Sequence, residues 1–416
     1  MTDSPPSKSS ELRQGWPLVL ACAFGVGFGA VGFNTYAIGA FIDPLGSEFG
    51  WTRAQVQGAI VIGVGLGGFM APLVGLIIDR YGGRKVALLG LVGVAAGYIM
   101  AATSGPAIWY FYASYAVIAV LGAGSAPVAW SRAVAERFDR ERGFALALAL
   151  TGTGVAAIVV PQYAVLLIDN FGWRGGFIGL ALLPLTALAI AALLFHPSPG
   201  SMQRHGPDLG APSGTGLTTR EAVASYRFWV LLFSILVMFL GISGIVPNLI
   251  PALTDRGFTP REAASVLSAY GISLIIARLG IGWLLDRFWG PGVAAVVLTS
   301  PMLACVILLN EPSYFAAVLA SMLVGAAAGA ELDLLAFFTA RYFGLRSYGR
   351  IYGLLYFGVA FGAGLGPVSF AYLADRTGSF AASFEAAMAA FFIGGVSILL
   401  LGRYPKLAAR PDPQPE

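Results

Sequence analysis

Twelve apolar stretches, each close to or above the about 20 helical residues that cross a ~30 Å hydrocarbon layer, restrict what this chain can fold into. They cover approximately residues 16–38, 54–78, 86–104, 107–131, 143–168, 175–195, 228–252, 261–285, 291–309, 313–340, 350–372 and 381–402, here spans 1 to 12. Inside a bilayer each backbone amide must be paired within its own segment, so the spans are expected as helices; a barrel of ~10-residue alternating strands does not match their length. Only 11% of the 416 residues are charged and 57% are hydrophobic, against about 25% charged in soluble domains, which excludes a soluble enzyme and a disordered chain. The 25 Lys and Arg lie in small groups between apolar blocks rather than along a basic stripe, so no nucleic-acid partner is expected. Cys22 and Cys305 both sit inside apolar runs and make neither a disulfide framework nor a metal site. The polar segment before span 1 is not followed by a small-residue cleavage site, which speaks against a cleaved signal peptide.

One long polar stretch, His196 to Arg227, divides the spans six and six. The expected organisation is a tail over 1–15, a six-helix bundle over 16–195, a linker over 196–227, a second six-helix bundle over 228–403 and a tail over 404–416. With the N-terminus placed in the cytoplasm, nineteen of the 25 Lys and Arg fall on the cytoplasmic side, five (Arg53, Arg174, Arg256, Arg261 and Arg376) on the other, and Arg278 inside span 8. That asymmetry predicts both termini in the cytoplasm, in an inner or plasma membrane. The halves also repeat. Arg140, Gly143, Pro161, Asp169 and Gly172 recur 206 positions later as Arg346, Gly349, Pro367, Asp375 and Gly378. Parallel six-helix repeats are the architecture of transporters that rock two halves about a midplane site.

The stretch Gly75-x-x-x-Asp79-Arg80-x-Gly82-Gly83-Arg84-Lys85 joins spans 2 and 3, and part of it returns as Gly282-x-x-x-Asp286-Arg287 after span 8. This pattern resembles the Gly-x-x-x-Asp-Arg-x-Gly-Arg loop of the major facilitator superfamily, with Gly83 where an Arg is frequent. A conformational latch follows: Gly75 allows close helix approach, and Asp79, at an unfavourable helix C-terminus, needs cationic partners that form in one state and break in the other. The same reading gives Asp286 and Arg287 the equivalent role, with Arg80, Arg84 and Lys85 as cations.

A narrower resemblance lies in Phe41-Ile-Asp-Pro44-Leu45-Gly-Ser-Glu48-Phe49-Gly50-Trp51-Thr52-Arg53, in Arg341-Tyr342-Phe343-Gly344-Leu345-Arg346 and in Asp375-Arg-Thr377-Gly378-Ser379. These segments are similar to the monocarboxylate transporter lineage, including the bacterial oxalate/formate exchangers. The resemblance implies transport of small carboxylates, with a span-8 arginine, here Arg278, on the carboxylate. Arg278 precedes Asp286 by eight residues, about 12 Å above the helix end. An arginine at that depth costs several kcal/mol unless paired or hydrated, and its fixed fork of donors fits a carboxylate bidentately. The alternative is a structural ion pair with Glu331 or Asp333.

Glu331 and Asp333 of span 10 are expected to couple transport to a proton, with Asp333 preferred because its distance from Arg341 matches that of Arg278 from Asp286. Asp255 is a third proton-coupling candidate; it stands in a pattern, His-x-x-Pro-x-x-x-Asp-x-Gly, in which Asn248 replaces the histidine, and Asn bonds a carboxylate but does not titrate. Asn248, Asn34, Tyr356 and Ser125 are the remaining substrate-site candidates. No catalytic set, metal site or cofactor is expected. Arg278 without a second central cation favours monoanions, so the chain reads as a monomeric, lipid-embedded, proton-coupled symporter of small organic monoanions. Alternatives are an organic anion exchanger or uniporter, or a proton-coupled multidrug efflux pump, which an arginine-lined cavity suits poorly.

Overall fold

The computed structural model describes residues 10–30, 33–138, 142–195, 216–344 and 346–405. Among these the fold is helical throughout, and one isolated bridge, Gly216 to Gly344, is the only extended pairing. Nine helices among the described residues are long and apolar enough to cross a membrane. The longest runs over Phe144–Leu194 and is a hairpin of spans 5 and 6. It reverses at Gly172, whose φ of 69° suits glycine, and beyond the turn the Tyr163 hydroxyl reaches the Gly179 carbonyl at 3.3 Å. With spans 1 and 2 this set is compatible with twelve crossings.

Two spans are broken where the sequence is rich in small residues. Span 1 stops as a helix at Gly27 and resumes at Phe33–Ala37, while span 4 passes from Ile108–Leu121 through a tight turn, Gly122–Ser125, to Pro127–Arg137. Pro127 supplies no amide and pushes Ala126 into extended backbone (ψ 154°), so the first helix cannot run through it. The freed polar groups are then paired across the breaks. Ala30 donates its amide to Ser125 Oγ at 3.0 Å, and its carbonyl accepts from Asn34 Nδ2 at 2.7 Å, as irregular backbone at membrane depth requires. Span 2 is longer than its apolar run, extending over Arg53–Tyr81 behind a Thr52/Gln55 capping box.

The end of the linker packs against span 10. Its last part carries a short helix, Thr219–Ala224, and Leu217 donates to the Phe343 carbonyl at 2.8 Å, strapping it to the end of span 10. His196, His205 and most of the linker lie outside the described residues.

The halves meet through spans 1 and 7, 2 and 11, and 5 and 8. Where spans 5 and 8 cross, glycine faces glycine: a Cβ on Gly154 would lie 2.3 Å from Ile275, and one on Gly271 would lie 2.7 Å from the Gly154 carbonyl. Gly39 of span 1 similarly abuts the Pro247 carbonyl of span 7, 2.5 Å from where its Cβ would be. Small residues at such crossings bring backbones within van der Waals range. The close contacts are concentrated on the side of the molecule away from the linker, here the far side.

Candidate substrate site and gate

On the far side a polar cluster joins the halves. Arg53, at the start of span 2, donates from Nη1 and Nη2 to the two oxygens of Asp255 at 2.5 and 2.6 Å. This bidentate fork spans 202 residues of sequence. Asp375, at the end of span 11, accepts the Ala54 amide at 2.9 Å, a carboxylate on the N-terminus of span 2 where the helix dipole favours it. The internal repeat is visible in these contacts: Asp169, the counterpart of Asp375, faces Arg261 at the start of span 8 at 3.9 Å. Thr254 Oγ1 lies 3.3 Å from Asp43 Oδ2 and 3.0 Å from the Pro251 carbonyl. One hydroxyl hydrogen cannot serve both. Partial burial pushes the Asp43 carboxyl up; Arg53 pulls it down, and Asp255 pushes it up further. Nearby, Glu48 accepts from Trp173 and from Arg174 (2.8 Å), and these bonds hold its carboxyl below the usual range. Thus the segment from Phe41 to Arg53 braces the first half through Glu48 and reaches the second half through Arg53.

Beneath this cluster, Gln57 of span 2 donates to the Pro247 carbonyl and to Asn248 Oδ1, both at 3.3 Å. Asn248 in turn donates to the carbonyls of Gly244 (2.8 Å) and Pro367 (3.0 Å). Every polar atom of its side chain is engaged, so in this conformation Asn248 ties span 7 to spans 2 and 11. Asn34 is similarly occupied, by Ala30 and by the hydroxyl of Tyr98, and Ser125 bonds Gly122 and Ala30 across the broken spans.

Arg278 sits at the seam where spans 5 and 8 begin to part. Its Nη1 donates to the Leu150 carbonyl at 3.1 Å and reaches Thr153 Oγ1 at 3.5 Å, both in the first half. Its Nε is buried with no hydrogen-bond partner among the described residues. The alternative of an ion pair to Glu331 or Asp333 is not realised among the described residues. Asp333 is nonetheless within electrostatic reach of the guanidinium, as are Tyr36 and Tyr270, whose rings meet across the halves at 6.0 Å. Glu331 is 2% exposed, and neither carboxyl oxygen has a partner among the described residues. The two acids therefore part company as their spacing requires, Glu331 into packed helix and Asp333 half-buried toward Arg278.

On the linker side of Arg278 the spans diverge. Cβ atoms on Gly65, Gly67 and Gly68 of span 2, or on Gly353 of span 11, would meet nothing within 4 Å, and Tyr356 is 40% exposed and stacked on Tyr352. The hydrogen bonds from Arg53 to Asp255 and from Gln57 to Asn248 join the halves on the far side of Arg278. Of the expected latch, Gly75, Asp79 and Asp286 lie in helices whose side chains at these positions fall outside the described residues. Arg80 stacks on Tyr81, Arg84 bonds the Ala192 carbonyl at 2.8 Å, Lys85 is exposed and Arg287 stacks on Trp283; each of these contacts stays within one half.

The family model of the Major Facilitator Superfamily matches residues 24–330 and 231–416. The chain belongs to the major facilitator superfamily. It is a transporter of that superfamily rather than an enzyme, and an integral, multi-pass membrane protein. Bovine monocarboxylate transporter 13 is 28% identical over 397 residues, covering 93% of this chain and 88% of its own. Human monocarboxylate transporter 11 is 28% identical over 386 residues, covering 89% and 79%. A solved structure of a bacterial homologue of the human lysosomal transporter Spinster, in an inward-facing and occupied conformation, superposes with a TM-score of 0.66 at 17% identity, covering 95% and 94% of the two chains. The superfamily and the resemblance to monocarboxylate transporters, both read from the motifs, are thereby upheld. The far-side ion pair is not legible in the sequence: Arg53 and Asp255 stand among the resembling residues, but nothing in the sequence pairs them.

Proposed function

We propose that this chain carries small organic monocarboxylates by alternating access, in symport with a proton. The observation that supports it is the state of Arg278, a membrane-embedded guanidinium at the seam of the halves with an unpartnered Nε and no carboxylate pair among the described residues. A planar anion can take the fork that Leu150 and Thr153 only half use. With one central cation, monoanions are preferred over dianions. The relatives named monocarboxylate transporters favour the same substrate class.

In this reading the linker side is cytoplasmic, both bundles, over 16–195 and 228–403, move as units, and the conformation described is the inward-open one. Tyr356 lines the open cavity, whereas Asn248, Asn34 and Ser125 act by shaping the gate and the broken helices. Asp255 works in the far-side gate rather than as a proton carrier. An ionised carboxylate in apolar packing is costly unless paired, which suits Glu331 and Asp333 to carrying the proton. The cytoplasmic latch residues pair when the far gate opens. Uptake of labelled lactate, pyruvate and simple aromatic acids into proteoliposomes, with and without an inward proton gradient, tests the proposal. Accumulation of a monoacid that tracks the gradient is expected; accumulation of its amide, or of lipophilic cations, would overturn it.

A further inference from the structure

At the linker-side end of spans 8 and 10 lies a cavity of about 470 Å³, lined by Leu285, Arg287, Phe288, Phe337, Arg341 and Tyr404. Both arginines are exposed, and neither forms an ion pair among the described residues. Each guanidinium is steered by an aromatic ring: Arg287 lies over Trp283 at 4.0 Å and Arg341 over Tyr404 at 5.0 Å. Trp283 continues a stripe of exposed apolar residues, Ile272, Ile276 and Leu279, spaced three and four apart along span 8. A stripe of that kind on a membrane-spanning helix faces acyl chains, and an aromatic ring at its end marks the headgroup level. Phe288 and Trp289 are also exposed there, at 58% and 47%. Tyr404 closes the floor by accepting the Gly290 amide at 3.1 Å.

We infer that this cavity is a binding site for the headgroup of an anionic phospholipid in the linker-side leaflet. The two guanidiniums supply bidentate donors for the phosphodiester. Leu285, Phe288 and Phe337 give the glycerol backbone and first methylenes an apolar wall, which a free inorganic anion would not use. Basic pockets between membrane helices take anionic lipids by this combination of charge and depth. The inference is independent of the transported substrate.

The test uses the purified full-length protein in detergent micelles, with thermal unfolding as readout. Dioleoyl phosphatidylglycerol added to the micelles should raise the midpoint by about 2–4 °C, since a ligand bound only by the folded state stabilises it. Dioleoyl phosphatidylcholine and 10 mM inorganic phosphate should not. The shift should vanish in R287A/R341A and survive in a control lacking the same charge elsewhere, R220A/R350A. Should the double alanine variant fail to fold, R341A alone, with bound phosphatidylglycerol counted by native mass spectrometry, decides: one fewer retained lipid supports the site, and an unchanged count overturns it. An equal shift with phosphate would make this a free-anion site, and an equal loss in the control would reduce the effect to diffuse charge. A shift that emerges only after residues 406–416 are deleted would assign the cavity to the chain's own C-terminus. Each of these last three results refutes a phospholipid site.

Discussion

Neutralising Asp255 should open the far side. In Asp255→Asn the amide keeps one acceptor but loses the charge and the symmetric fork that holds Arg53 at 2.5 and 2.6 Å. The two side chains are 25% and 36% exposed, so the pair falls between surface ion pairs at about 0.2–1 kcal/mol and buried ones whose disruption costs about 3–5 kcal/mol. The substitution also removes repulsion between Asp255 and Asp43, which brings the net effect to about 1–1.4 kcal/mol, or about 5–10-fold in the ratio of open to closed gates. Spin labels at Ser47 and Thr377, exposed on the far ends of the two halves, would report that ratio by dipolar distance measurement after Cys22 and Cys305 are replaced. Raising the ionic strength should move wild type in the same direction and leave Asp255→Asn nearly unchanged, because a pair this exposed is screened over a Debye length of about 8 Å at physiological salt. An unchanged distance distribution in a normally folded Asp255→Asn protein would remove the ion pair from the gating account.

Three further outcomes follow from the same contacts. Asp43 has its carboxyl pushed above the ordinary aspartate value in the closed gate, so closing takes up protons; lowering the far-side pH toward that range should favour the closed gate, and Asp43→Asn should flatten the dependence in the same distance measurement. Asp333→Asn or Glu331→Gln should lose gradient-driven accumulation while keeping exchange between equal substrate pools; if both variants still concentrate substrate in response to pH, the proton does not travel on span 10. Ser125→Ala leaves the Ala30 amide without its acceptor and should cost about 1–3 kcal/mol of stability, read as a lower unfolding midpoint.

The all-helical membrane fold is legible in the sequence because a bilayer leaves the backbone no other way to pair, and apolar length reports that directly. Helix ends were less so. Span 2 starts at Arg53 because Thr52 and Gln55 cap it, a local signal that an apolar count overlooks. The breaks in spans 1 and 4 also escaped: Gly122 to Pro127 is a visible breaker, but only the fold shows Ser125 receiving the orphaned amide of Ala30. Arg278 could be singled out because a lone charge in a span is rare and costly. Asn248 reads from the sequence as a substrate-site candidate because an amide can bond a carboxylate; the fold adds its hydrogen bonds to Gly244, Pro367 and Gln57, which tie span 7 to spans 11 and 2. The Arg53–Asp255 pair lies beyond the reach of sequence for a plainer reason: each residue sits at a helix end with ordinary polar neighbours, and their meeting depends on how the two halves pack.

In the proposed cycle the Arg278 fork holds the substrate carboxylate. Uptake of the best monocarboxylate by Arg278→Lys, in proteoliposomes holding equal amounts of folded protein, tests it most directly, since lysine keeps the charge and loses the bidentate geometry. Loss of most transport is expected, together with loss of the thermal stabilisation that the carboxylate, but not its amide, gives wild type. Uptake within about twofold of wild type, a difference of only about 0.4 kcal/mol, would contradict it.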